Sequence, residues 1–115
     1  MSLAVAVIAV TVVANLAIAT ADLFRAKFVL ANSAEVGVPE SWLPGLAVVK
    51  GAGAVGLVVG LAGASAVGIA AAGGLVLFYI GAVAAHLRCR VLYNIAFPMS
   101  FLGLAIASLV LMISR

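Results

Sequence analysis

The sequence predicts an all-α integral membrane protein, a four-helix bundle of up-and-down topology, and three observations carry that prediction. Of 115 residues, 68% are hydrophobic and only 8% are charged. A water-soluble domain carries about 25% charged residues because its surface must face water, so nine charges exclude a soluble monomer, and the mean hydropathy of +1.43 excludes disorder. The apolar residues fall into four runs of spanning length, and four spans of about 20 residues use about 80 residues. The whole chain, 1–115, reads as one transmembrane domain with no linker and no second unit.

The first span covers about residues 2–21, with Asn15 as its only strongly polar interruption. Ala19-Thr20-Ala21 resembles a small-residue cleavage site, but the run lacks the positive leading region of a secretory signal. Residues 22–44 form the one long polar segment and hold all three acids, Asp22, Glu35 and Glu40. This segment opens amphipathically, with Phe24, Phe28 and Ala31 on one helical face, so the span either extends to about Asn32 or continues as an interfacial helix. Gly37 and Pro39 then break any helix, and Trp42 stands where interfacial aromatics are enriched. The second span, about 45–62, contains Lys50; the turn at Gly63-Ala64-Ser65 is tight and uncharged. The third, about 66–87, closes on His86-Leu87-Arg88-Cys89-Arg90. The fourth, about 92–113, has Pro98 near its start, where the missing N–H should bend or loosen the first turn.

Charge sets an expected orientation. Arg25, Lys27, Arg88 and Arg90 share one side with Lys50 just inside it, whereas the other side has Arg115 alone. The positive-inside rule places the first side in the cytoplasm and both termini outside. The net charge of +3 is spread over short loops, not gathered in a patch, so it does not indicate nucleic acid. One cysteine, Cys89, excludes an internal disulfide, and one Cys with one His does not make a tetrahedral zinc site. Haem ligation by His86 would need a second axial partner or an open site. No metal site and no cofactor motif is evident.

Helices in lipid associate through small residues that allow close approach. Ala52, Gly56, Gly60 and Ala64 form such a row on the second span; Ala70, Gly74 and Phe78, then Gly81 and Ala85, form rows on the third. They predict a tight bundle and are read first as internal packing and second as the seam of a homo-oligomer, which is the expected state.

The end of span one, the start of two, the end of three and the start of four share one membrane side. Those ends carry Asp22, Lys50, His86 with Arg88, and Tyr93 with Asn94. Lys50 lies about 7–8 Å deep at 1.5 Å per residue, and Asn15 about 10 Å deeper than Asp22 on nearly the same face. Tyr79 stands two turns from His86 in the same relation. Lys50 has two readings, an ammonium snorkelling to the headgroups or a contact with Asp22 inside the bundle. The others have bland readings as well: interhelical hydrogen bonds for Asn15 and Tyr79, headgroup contacts for His86, Arg88 and Tyr93. Together they form a polar mouth over an apolar interior containing Phe78, Phe97 and Phe101, the composition of a small-molecule site. Asn15, Asp22, Lys50, Tyr79, His86, Arg88, Tyr93 and Asn94 are therefore the candidate ligand-binding residues. A lipophile with a polar head suits them: a quinone, sterol-like molecule, terpenoid or lipid.

Pro44-Gly45-Leu46-Ala47-Val48-Val49-Lys50-Gly51-Ala52-Gly53, Val38-Pro39-Glu40-Ser41-Trp42 ahead of it, and Gly81-Ala82-Val83-Ala84-Ala85-His86-Leu87-Arg88 resemble the DoxX-like family of small bacterial membrane proteins. The resemblance runs over about residues 5–112 and implies a four-helix bundle in the bacterial cytoplasmic membrane. Relatives are tied to quinone-linked sulfur oxidation, to redox stress or to receptor assembly, so a quinone is the cofactor the resemblance suggests. Many relatives carry a glutamate at Lys50, a departure that bears against transferring a carboxylate-based mechanism.

Three functions follow. The first is binding of a lipophilic small molecule, as an accessory to a redox or lipid pathway. The second is a membrane enzyme, a quinone-linked oxidoreductase or an isomerase or hydrolase, with His86, Asp22 and Lys50 as candidate catalytic residues. The third is an assembly partner within a larger membrane complex. No GxSxG, HExxH, paired-carboxylate or Walker pattern supports a specific chemistry.

Overall fold

The computed structural model describes residues 2–115. Five α-helices follow one another: α1 Leu3–Leu23, α2 Lys27–Glu35, α3 Leu43–Leu61, α4 Ser65–Arg88 and α5 Ala96–Ile113, with one 3₁₀ turn, Glu40–Trp42, ahead of α3. Four of them, α1, the Glu40–Leu61 segment, α4 and α5, are long and apolar enough to cross a membrane. At 1.5 Å per residue the 21 residues of α1 reach about 31 Å, the thickness of the hydrocarbon core. The spans close a ring in chain order: α1 packs on α3, α3 on α4, α4 on α5 and α5 back on α1. The chain is an integral membrane protein whose four apolar helices contact the bilayer.

The helix ends are set by local chemistry. Ser2 caps α1, its Oγ accepting from the Val5 N–H at 3.1 Å. Four helices finish on paired backbone bonds that satisfy their last carbonyls around one left-handed residue. Gly37 and Gly63 are that residue after α2 and α3, with φ of 75° and 128°. After α1 and α4 it is Arg25 and Arg90, with φ of 52° and 56°. A left-handed arginine is uncommon, and here it turns a charged side chain away at the foot of each helix. Pro98 causes no bend, because α5 begins at Ala96 and not Leu92. Pro98 is therefore the third helical residue, where no intrahelical N–H bond is due.

Each helix turns one stripe inward at three- and four-residue spacing. In α1 the stripe is Ile8, Thr11, Val12, Asn15, Ile18, Ala19 and Asp22. In α4 it is Gly68, Ala72, Leu75, Tyr79 and His86. Ile8, Ala54, Leu57, Leu75, Ala105 and Met112 form the dry centre. The Thr11 and Ser108 hydroxyls share a buried 2.8 Å hydrogen bond that joins α1 to α5.

The small-residue rows correct in phase. Gly56 and Gly60 do face α4, but Ala52 and Ala64 are exposed, and α4 answers with Gly68 and Ala71. Gly74 and Gly81 meet nothing within 4 Å. A Cβ placed on Gly60 would lie 2.5 Å from the Gly68 Cα, so the two backbones touch there.

The polar segment contains α2, which lies across the Asp22 end of the bundle. Val29 and Ser33 are its buried residues, followed by Val36; Phe24 and Ala31 are exposed, which rotates the packed face from the one the sequence suggested. Val29 packs with Ile18 and Leu43 in a second, smaller core.

Candidate functional site

Asp22 sits in the last turn of α1 and Lys50 in the third turn of α3, and both helices present these residues inward. Their side chains meet in a 2.7 Å ion pair with 3% and 11% exposure. Lys50 therefore does not snorkel. Its ammonium also stands 5.5 Å from the centre of the Phe78 ring, where the negative face of the aromatic stabilises a desolvated cation. An ion pair removed from water is held only where geometry and further contacts compensate its desolvation, and here the aromatic face supplies one of those contacts.

One layer deeper, the Tyr79 hydroxyl donates to Asn15 Oδ1 at 2.6 Å, and Asn15 Nδ2 donates to the Thr11 carbonyl at 2.9 Å. Tyr79 also packs on Phe78 edge-on and on Phe101 at 5.2 Å. Tyr79→Phe removes the donor and leaves Asn15 Oδ1 buried without a partner. The variant should lose about 1 kcal/mol in a detergent unfolding titration; an unchanged midpoint would show that the bond contributes nothing net.

His86, 3% exposed, occupies the last turn of α4. Its Nδ1 lies 3.0 Å from the Ala82 carbonyl, which can only accept, so Nδ1 carries the proton. Its Nε2 is buried and has no hydrogen-bond partner. Asn94, in the connection to α5, donates from Nδ2 to Asn32 Oδ1 at 3.0 Å, and its own Oδ1 is buried and unpartnered. Tyr93 is 76% exposed, and its hydroxyl donates to Glu35 Oε1 at 2.5 Å. That bond to a carboxylate holds the Tyr93 phenol above its ordinary pKa. Arg25 and Glu40 form an exposed 2.9 Å salt bridge that joins the turn after α1 to the turn before α3.

Most of the residues singled out from the sequence line a cavity of about 690 Å³. Asp22, Lys50, Tyr79, His86, Arg88, Tyr93 and Asn94 all lie on its wall; of the eight residues singled out from the sequence only Asn15 does not, standing behind Tyr79. Phe78, Phe97 and Phe101 supply the apolar part of the wall, with Phe97 stacked on Phe101 at 5.2 Å. A second, shallower groove of about 260 Å³ lies between α1 and α5 and shares Ile18, Phe28, Phe97 and Phe101 with the cavity.

The sequence reading missed α2 as a wall. Asn32, Ser33 and Glu35 line the cavity and tie that helix to the α4–α5 connection through Asn94 and Tyr93. Their signal was present as three polar residues in the last turn of a short amphipathic helix. What could not be read was that α2 folds back over the end of the bundle.

Of the three candidates for acid–base chemistry, Asp22 and Lys50 engage each other, and His86 alone keeps a free nitrogen. Among the described residues no group of three or more His, Cys, Asp or Glu is placed to hold a metal ion. The sequence model of the DoxX-like family matches residues 6–108. No curated protein and no solved structure matches the chain.

Proposed function

The chain belongs to the DoxX-like family, and from that premise we propose that it binds a lipophilic small molecule in the cavity at the charged end of the bundle. The observation that carries this reading is the composition of the cavity wall: three phenylalanines together with a buried ion pair and two residues that carry unpartnered polar atoms. Ligand sites are concave, mostly apolar and marked by a few convergent polar groups that fix orientation. The shared residues of the α1–α5 groove offer a lateral route, through which an apolar tail enters from the bilayer with its polar head directed to His86 and Asn94. By the positive-inside count, Arg25, Lys27, Arg88 and Arg90 put this mouth on the cytoplasmic side.

Native mass spectrometry of protein released gently from its own membrane tests the reading. One lipophile of defined mass per chain is the expected result, and the same spectrum counts chains per particle. A clean particle carrying only bulk phospholipid would overturn it in favour of an assembly role within a larger membrane complex.

A further inference from the structure

We propose that the head of the bound lipophile is a hydroxyl, and that Nε2 of His86 accepts its proton in a hydrogen bond; the inference rests on the cavity reading above and specifies its ligand class. The argument starts from the tautomer. With Nδ1–H engaged by the Ala82 carbonyl at 3.0 Å, the neutral ring has its lone pair on Nε2. That nitrogen is buried, unpartnered and part of a residue on the cavity wall. A second atom repeats the pattern: Asn94 gives its N–H to Asn32, so its unpartnered Oδ1 is also an acceptor.

Three nearby donors are engaged: the Lys50 ammonium bonds Asp22, the Tyr79 hydroxyl bonds Asn15 and the Tyr93 hydroxyl bonds Glu35. Among the described residues the two buried side-chain atoms left without a partner both belong to residues of this wall, and with the ring neutral both are acceptors. A buried polar atom left without a partner is costly, and a ketone, an ester or an oxidised quinone would set its own acceptors against these two. A lipophilic alcohol or phenol, including the reduced form of a quinone, supplies the missing donor.

His86 is the only histidine in the chain, so ¹⁵N-histidine labelling gives one unambiguous ring to observe. The probes are farnesol and farnesyl methyl ether, which share a tail and differ in the hydroxyl proton, added to the protein in lipid nanodiscs. The free protein should show Nε2 as an unprotonated ring nitrogen, and farnesol should shift that resonance while the ether leaves it in place. Farnesol should also bind about tenfold more tightly, the ratio expected for one hydrogen bond to a buried acceptor, and His86→Phe should bring the two ligands to equal affinity. Equal affinities for the unmodified protein, a resonance unmoved by bound farnesol, or a proton found on Nε2 would each overturn the hydroxyl assignment and leave lipophile binding standing. Binding of neither probe would remove both. The comparison in the unmodified protein needs no variant to fold.

Discussion

Replacing Lys50 by leucine strands the Asp22 carboxylate inside the bundle, and the protein is expected to lose about 3–5 kcal/mol, the cost of breaking a buried pair by removing one partner. Asp22→Leu should cost a comparable amount, because it strands the ammonium that the Phe78 ring alone cannot satisfy. Removing both charges together should restore most of the loss, since a buried ion pair replaced by apolar side chains of similar volume is often close to neutral. The three variants are compared by circular dichroism during titration from mild detergent into dodecyl sulfate. Non-additivity of several kcal/mol is the expected signature of direct contact; additive losses would show that the 2.7 Å pair contributes no coupling. The double variant also separates structure from binding. If it folds like the parent yet no longer retains a lipophile, the pair acts on the ligand; if it retains one, the pair serves to hold α1 against α3.

That pair shows where the sequence was legible. Every side of these helices is apolar, so hydrophobic periodicity marks no inward face, and in lipid the polar residues mark it instead. Asn15, Asp22, Lys50, Tyr79 and His86 were readable as neighbours because an up-and-down bundle brings alternate helix ends together, and all five lie buried. Thr11 and Ser108 belong to the same inward stripes but escaped notice, since a hydroxyl in a span readily bonds its own helix, as Thr11 also does to the Val7 carbonyl. The small-residue rows failed for the opposite reason. In a chain so rich in glycine and alanine every helix face offers four-residue spacings, and only the true helix phase selects Gly60 with Gly68 over Gly74. The reach of α2 could not be read because it depends on Arg25 turning left-handed at the end of α1, a conformation no arginine announces. The bond from Asn32 to Asn94, 62 residues apart, has no local signal either.

Gly60→Ala should be the most damaging of the glycine-to-alanine substitutions in the bundle. Its Cβ would meet the Gly68 Cα at 2.5 Å and the Gly68 nitrogen at 3.0 Å, and backbone cannot swing aside as a side chain can. The added methyl forces α3 and α4 apart, and overpacking of this kind costs about 1–3 kcal/mol; the upper part of that range is expected. Gly53→Ala should cost less, because the atoms it meets belong to the Leu75 side chain, and Gly74→Ala, with nothing within 4 Å, should be tolerated. Detergent unfolding of the three variants checks the order, and equal midpoints for Gly60→Ala and Gly74→Ala would refute the backbone contact. The consequence reaches the cavity through the same two helices. Along α3 from Gly60 towards Lys50, the facing groups grow from Gly68 through Ala71 and Leu75 to Phe78. Filled by nothing, then a methyl, then a branched side chain, then a ring, this interface is backbone against backbone at the Gly60 end and side chain against side chain at the charged one. Gly60 therefore fixes the end at which α3 and α4 touch, and the cavity lined by Lys50 and Phe78 lies towards the other.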